Sequence, residues 1–113
     1  MPALHRLHCQ ACRSDSSAVN SAEADELLAQ LPGWIIQEQH GVARLVREYR
    51  FENFRLAFDF AARIATLAEQ EDHHPALQVE WGRVVVHWWT HRISGLHLND
   101  FIMAARTDQA ARL

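Results

Sequence analysis

Residues 69–100 read EQEDHHPALQVEWGRVVVHWWTHRISGLHLND, and this stretch decides the fold. Two short apolar runs, residues 77–81 and 84–91, flank Gly82, which permits a tight turn, so they predict a β-hairpin. The second run alternates between two faces, with Val84, Val86, Trp88 and Thr90 on one and Val85, His87, Trp89 and His91 on the other. We predict that the first set lies in the core under helices and that the second lines a partly open face.

The same stretch gathers three histidines around the hairpin. His73 and His74 precede its first strand, and His91 ends its second. Adjacent residues cannot share one face of a helix or strand, and Pro75 disfavours the α region for the residue before it. The pair is therefore predicted on an irregular segment. Because unperturbed imidazole titrates near neutrality, such a cluster can give and take protons.

A central helix is predicted upstream of the histidines, from about residue 53 to about residue 70, with Asn53 as its N-cap. Its apolar side chains fill an arc of about 200°, whereas a helix on one sheet needs an arc of only about 100° or somewhat more. The surplus predicts a second buried surface. Another copy of the chain is one candidate to cover it, and the other two helices are the alternative.

The rest of the chain completes a regular order. Residues 20–31 read as a helix with Asn20 and Glu23 as a capping box, residues 34–39 and 42–51 as two strands, and a last helix begins near His97, a helix-start surface residue. The order α-β-β-α-β-β-α predicts an α+β sandwich of two layers, an antiparallel sheet with helices on one face. Residues 20–113 form one domain, and polar residues 1–19 are predicted to be a flexible arm.

The composition and charge of the chain argue against several classes of function. The chain has 113 residues, a net charge of −3 and 49% hydrophobic residues, which suits one soluble globular domain and gives no electrostatic footprint for nucleic acid. No apolar run approaches the ~18 residues of a membrane span, and no signal-peptide centre is present, so we expect a cytoplasmic protein. Cys9 and Cys12 form a Cys-x-x-Cys after His5 and His8. This motif predicts either an N-terminal extension without a catalytic role or a functional site, which would be half a zinc site or a redox pair.

Several of these motifs together resemble those of the pterin-4a-carbinolamine dehydratases. The matching pieces are Glu69, Asp72-His73-His74-Pro75, Thr90-His91, Gly95-Leu96 and Asp100, in that order. The resemblance covers roughly residues 22–110, and it is close to bacterial members associated with phenylalanine hydroxylation at residues 80–82 and 99–106. It implies a four-stranded antiparallel sheet backed by three helices, assembled into homodimers or homotetramers.

The resemblance also implies a reaction, the loss of water from a 4a-hydroxytetrahydropterin without metal or other cofactor. His73 and His91 are then the acid and base, in an order that the sequence leaves open, and His74 positions the pterin. The further substrate-site residues that we expect are Glu69, Asp72, Pro75, Trp89, Thr90 and Asp100. Ile93 and Asn99 stand where animal members carry Cys and Arg, so the preferred pterin side chain is open.

Two other functions remain alternatives at this stage. Three histidines with Asp72 could ligate zinc in a metal hydrolase, since neutral imidazole is the commonest metal-binding side chain. The fold could also serve as a binding partner, such as a transcription coactivator or an assembly factor. The complete histidine set favours retained chemistry, and a phenylalanine hydroxylase is then a candidate partner.

Overall fold

The computed structural model describes residues 3–10 and 17–112. Its helices are α1 (Ser21–Leu28), α2 (Phe54–Glu71) and α3 (Leu98–Ala111), and its strands are β1 (Ile35–Gln39), β2 (Val42–Arg50), β3 (Ala76–Glu80) and β4 (Arg83–Trp88). Short 3-10 turns cover Leu4–Arg6 and His91–Ile93. The predicted α+β order is confirmed. Within the described ranges, the apolar stretches of the helices are too short or too interrupted to cross a membrane.

The sheet has four antiparallel strands in the order β1-β2-β4-β3. Each hairpin closes through left-handed backbone, at His40 and Gly41 in the first and at Gly82 in the second. Gly82 has a φ of +70°, and a Cβ there would lie 2.9 Å from the Phe51 carbonyl oxygen. A side chain at this position would therefore clash with backbone, which explains the glycine.

The core lies between one face of the sheet and the helices. Val84, Val86 and Trp88 of β4 are completely buried there, as the alternation predicts. Apolar residues of α2 and α3 cover them, among them Ala57, Phe60, Ile64, Phe101, Ile102 and Met103. This burial supplies most of the driving force for folding, and it fixes the end of β4 against the first turn of α3.

The apolar arc of α2 extends past the side that the domain buries. Phe54, Leu56 and Phe58 remain 43–50% exposed, while Phe60 and Ile64 of the same helix are fully buried. The broad arc is thus present, and the other two helices leave these three side chains uncovered. Their burial against a second copy stays a prediction.

Two element ends differ from the sequence prediction by more than one or two residues. Helix α1 ends at Leu28, because Gln30 and Leu31 close a tighter turn by bonding to the carbonyls three residues back. Strand β4 ends at Trp88, and His91 begins a turn instead of closing the strand. Here the N–H of Thr90 donates to the Gly95 carbonyl at 2.8 Å, and Ser94 adopts a left-handed φ of 48° to complete the reversal.

The described part of the N-terminal segment lies against the domain. Leu4 is only 4% exposed and belongs to the core cluster. The N–H of Val19 donates to the Leu96 carbonyl at 3.0 Å, so the chain just before α1 is also bonded to the domain. The flexibility of residues 1–19 stays a prediction, and Cys12 lies outside the described residues.

Candidate active site

The end of α2 turns the two adjacent histidines in different directions. Asp72 has a left-handed φ of 51° as the C-cap residue, and the N–H groups of Asp72 and His73 both donate to the Ala68 carbonyl. After this reversal His73 is 7% exposed, whereas His74 is exposed. The irregular segment predicted from the sequence is confirmed, and it places one imidazole inside the domain and one outside.

His73 bonds to a buried carboxylate. Asp100 is 0% exposed, and its Oδ1 lies 2.7 Å from His73 Nε2. Its Oδ2 accepts from Thr90 Oγ1 at 2.8 Å and from the backbone N–H of His97 at 2.9 Å. Asp100 also sits in the first turn of α3, where the helix dipole favours negative charge. Three donors and the dipole thus compensate a carboxylate that burial alone would disfavour.

This arrangement fixes the proton on the His73 ring. An ionised carboxylate only accepts hydrogen bonds, so the proton between the two groups belongs to Nε2, an assignment that rests on the network. Nδ1 has no hydrogen-bond partner in the part of the chain that the structure describes. The ring is stacked parallel to Trp88, with centroids 5.8 Å apart and an interplanar angle of 7°. Nδ1 can therefore take a proton while Asp100 stabilises the imidazolium.

His74 pairs with Glu69 on the exterior. The Nε2 of His74 bonds to a Glu69 carboxylate oxygen, and both side chains are more than half exposed. Exposed pairs of this kind contribute little to the stability of a fold. Asp72 beside them is exposed and Pro75 is half-buried.

His91 belongs to a separate group of rings. Its centroid lies 4.4 Å from that of Trp89, and the Arg44 guanidinium lies 3.8 Å from the centroid of Trp89. No hydrogen bond or ring contact joins His91 to His73 within residues 3–10 and 17–112. The structure thus brings together His73, Thr90 and Asp100, and separately Trp89 with His91 and Glu69 with His74, all around the end of β4.

Some residues near these groups escape prediction from the sequence. His97 is 9% exposed, so its prediction as a surface residue is wrong: its Nδ1 accepts the Asn99 N–H at 3.0 Å and caps α3. Arg44 reaches Trp89 because Leu45 pairs with Trp88 across β2 and β4, a register that composition does not reveal. Glu71 and Asn99 bond to residues 8–10, which are remote in sequence.

The open face of the sheet carries a second histidine environment. Arg44 Nε and His87 Nδ1 are buried there without a hydrogen-bond partner among the described residues. Burial lowers the pKa of His87, and the positive charge of Arg44 lowers it further. As for metal ligands, the described residues contain no group of three His, Cys, Asp or Glu side chains placed to hold an ion.

Comparison with known proteins identifies a family and relatives that the chain resembles in sequence. The family model described as pterin 4 alpha carbinolamine dehydratase matches residues 17–110. A Chlorobium luteolum protein named "putative pterin-4-alpha-carbinolamine dehydratase" is 50% identical over 109 residues, which cover 96% of each chain.

Solved structures give the same fold. A Brucella melitensis protein titled transcriptional coactivator/pterin dehydratase superposes with a TM-score of 0.76 at 34% identity, over 84% of this chain and 99% of that one. A pterin dehydratase-like protein identified as a RuBisCO assembly factor of the α-carboxysome gives a TM-score of 0.60 at 21% identity, over 70% and 89%. The second likeness concerns the fold alone.

Proposed function

The chain belongs to the pterin 4 alpha carbinolamine dehydratase family, and we propose that it removes water from a 4a-hydroxytetrahydropterin to give the quinonoid dihydropterin. The observation that carries this proposal is the buried His73–Asp100–Thr90 network, which holds one imidazole with a single nitrogen available for proton transfer. The proposed setting is cytoplasmic recycling of a tetrahydropterin for aromatic amino acid hydroxylation.

The elimination needs one proton given and one proton taken. The C4a–O bond breaks as the hydroxyl accepts a proton and leaves as water, and loss of the N5 proton supplies the electron pair of the new C4a–N5 double bond. The substrate loses only the elements of water and no net electrons, so the step needs neither an oxidant nor a reductant. Each positioned proton-transfer group typically contributes about 10²–10⁴-fold to such a rate.

We assign the base to His73 and the acid to His91. Asp100 holds the Nε2 proton of His73, so Nδ1 is the nitrogen that takes the N5 proton, and the carboxylate stabilises the resulting imidazolium. His91 is exposed and can exchange protons with water before it donates one to the leaving hydroxyl. A protonated and a neutral imidazole near neutral pH can serve both ends of one elimination.

The other predicted residues fall into supporting roles. Thr90 and Asp100 act through His73, since their side-chain oxygens are already bonded within the network. His74 with Glu69 meets a polar edge of the pterin, and Trp89 provides an aromatic wall beside His91. Asp72 and Pro75 set the turn that separates His73 from His74.

A coupled assay tests the proposal. Purified chain, added to a phenylalanine hydroxylase reaction, is expected to accelerate breakdown of the carbinolamine product, and the acceleration is expected to survive prior treatment with a chelator. A rate equal to the uncatalysed one would refute the dehydratase. A rate abolished by chelation and restored by zinc would favour the metal hydrolase chemistry instead.

A binding role is the second candidate, and the uncovered side chains of Phe54, Leu56 and Phe58 favour it. An apolar cluster of this kind on a helix is suited to pack against another protein surface. We propose a homodimer or homotetramer as its first occupant, and a phenylalanine hydroxylase as a further partner. Sedimentation of the purified chain tests the first, and co-purification with the hydroxylase tests the second.

A further inference from the structure

Residues 4–10 form an N-terminal strap that crosses α3 and reaches the end of α2. Leu4 anchors one end in the core. Farther along, the Leu7 carbonyl accepts from Arg106 Nε of α3 at 3.0 Å. The strap precedes residues 17–110, which match the family model. It ends beside the two helix termini that carry His73 and Asp100.

The first of two strap contacts near the histidines is with Glu71, the last residue of α2. The N–H of Cys9 donates to Glu71 Oε1 at 2.8 Å, and His8 Nδ1 lies 3.1 Å from Oε2. Burial raises the pKa of Glu71, but the hydrogen bonds from Cys9 and His8 and the charge of Arg106 outweigh this effect and lower the pKa. Glu71 is therefore a carboxylate anchor, two residues before His73.

The second contact of the strap is with Asn99, the neighbour of Asp100. The Gln10 N–H donates to Asn99 Oδ1 at 2.9 Å, and Asn99 Nδ2 donates to the Gln10 carbonyl at 2.7 Å. This paired contact is part-buried, since Asn99 is almost completely inaccessible and Gln10 is exposed. A carboxamide that satisfies both polar groups of one backbone residue fixes that residue in place.

From these contacts we propose that the N-terminal strap is a positioning element that sets the geometry of the His73–Asp100 pair. Successive strap residues hold Glu71 and Asn99, and these precede the two members of the pair by two residues and one residue. The catalytic meaning of this arrangement rests on the dehydratase function proposed above. The strap touches neither imidazole nor carboxylate of the pair in any hydrogen bond of the described residues, so it acts through the backbone of α2 and α3.

Small displacements at such a pair are costly. A shift of about 1 Å in a reacting group can lower a rate by about 10²-fold. Loosening one of the two anchors leaves the other in place, so we expect a fall in kcat of about 10-fold. KM is expected to change less than kcat, because the strap does not contact the pterin in this proposal.

The test compares Glu71→Ala with Glu71→Gln in the full-length chain. The glutamine keeps an oxygen that accepts the Cys9 N–H, whereas the alanine removes it; both remove the negative charge. In Glu71→Ala, kcat is expected to fall by about 10-fold. In Glu71→Gln, kcat is expected to stay near the wild-type value. An equal loss in both variants would overturn the proposal, because the charge of Glu71 would then be responsible.

A substrate-free measurement reports the pair directly. The ring N–H of His73 that bonds to Asp100 is observed by NMR in the ¹⁵N-labelled chain. Its resonance is expected to shift or broaden in Glu71→Ala and to stay near its wild-type position in Glu71→Gln. Trp34→Phe is the stability control, since it removes hydrogen bonds to Asp108 away from the site and is expected to leave the resonance in place.

Asn99→Leu repeats the test from the other anchor, and it carries the test alone if Glu71→Ala does not fold. It removes both hydrogen bonds to Gln10 and keeps the number and branching of the side-chain heavy atoms. A folded variant with an unchanged His73 resonance and wild-type kcat would overturn the strap as a positioning element. If the wild-type chain does not dehydrate the carbinolamine, the proposed function fails, and the resonance in Asn99→Leu still decides whether the strap positions the pair.

Discussion

The end of β4 carries a polar cluster on each side of the sheet, and the two clusters are built differently. On the helix side, the side-chain oxygens of Thr90 and Asp100 and the Nε2 of His73 all have partners. On the open side, Arg44 Nε and His87 Nδ1 are buried and have none within residues 3–10 and 17–112. A satisfied buried network fixes one geometry, whereas unpaired buried polar atoms cost stability. The helix side therefore holds the proposed base, His73, in one geometry, whereas the open side carries a stability cost at Arg44 and His87.

The largest effect on the rate is expected when the His73 imidazole on the helix side is removed. His73→Ala is expected to lower kcat by about 10²–10⁴-fold, because the proposed base is lost. The coupled hydroxylase assay measures the effect, and circular dichroism verifies that the variant is folded. His87→Ala, the matched removal on the open side, is expected to keep the rate within a few-fold. An equal fall in kcat in the two variants would show that the helix side and the open side do not differ in their importance for the reaction.

His91→Ala is the next largest expected effect. Loss of the proposed acid lowers kcat by about 10²-fold, near the lower limit for a positioned proton donor. His91→Gln serves as the control for shape, because it can donate a hydrogen bond but cannot transfer a proton at neutral pH. Wild-type activity in both variants would show that water or another group protonates the leaving hydroxyl.

Part of the surroundings of these two histidines can be predicted from the sequence alone. The alternation of β4 predicts correctly that Thr90 points into the core and that His87 does not, because a buried sheet face imposes a period of two. The turn after α2 follows from the adjacency of His73 and His74 and from Pro75. These local rules suffice for the fold and for the residues that gather at the end of β4.

Contacts between distant segments could not be predicted in the same way. The bond between His73 and Asp100 depends on how α2 and α3 pack on the sheet, and no local pattern encodes it. The N-terminal strap has a polar, aperiodic sequence, so its attachment through backbone groups to Glu71 and Asn99 leaves no periodic signal. His97 looked like a surface residue because histidine is a rare N-cap, although its Nδ1 serves as the acceptor.

Asp100→Asn sharpens the comparison on the helix side itself. The amide can present its nitrogen to His73 Nε2 or to Thr90, and either choice removes an acceptor from a fully buried site. We expect kcat to fall by about 10-fold or more, since a carboxylate that holds the tautomer and orientation of a catalytic imidazole can contribute up to about 10⁴-fold. Thr90→Val tests the other half of the network and is expected to lose less, because it removes one donor and leaves the carboxylate in contact with His73.

The smallest expected effect concerns stability on the open side. The pKa of His87 is lowered in the folded chain from an ordinary value of 6.5, so the unfolded chain takes up the proton first as the pH falls. Folding stability at this site is thus retained above that value and declines as the pH drops below it toward the lowered pKa.

His87→Leu removes the titrating group and its unpaired Nδ1, so the loss of stability between about pH 7 and pH 5 is expected to shrink. Because the side chain is partly solvated, the change is expected to stay below about 1 kcal/mol. Urea unfolding of both proteins at the two pH values measures it, and an unchanged or steeper decline in His87→Leu would show that the unpaired imidazole on the open side does not weaken the fold in acid.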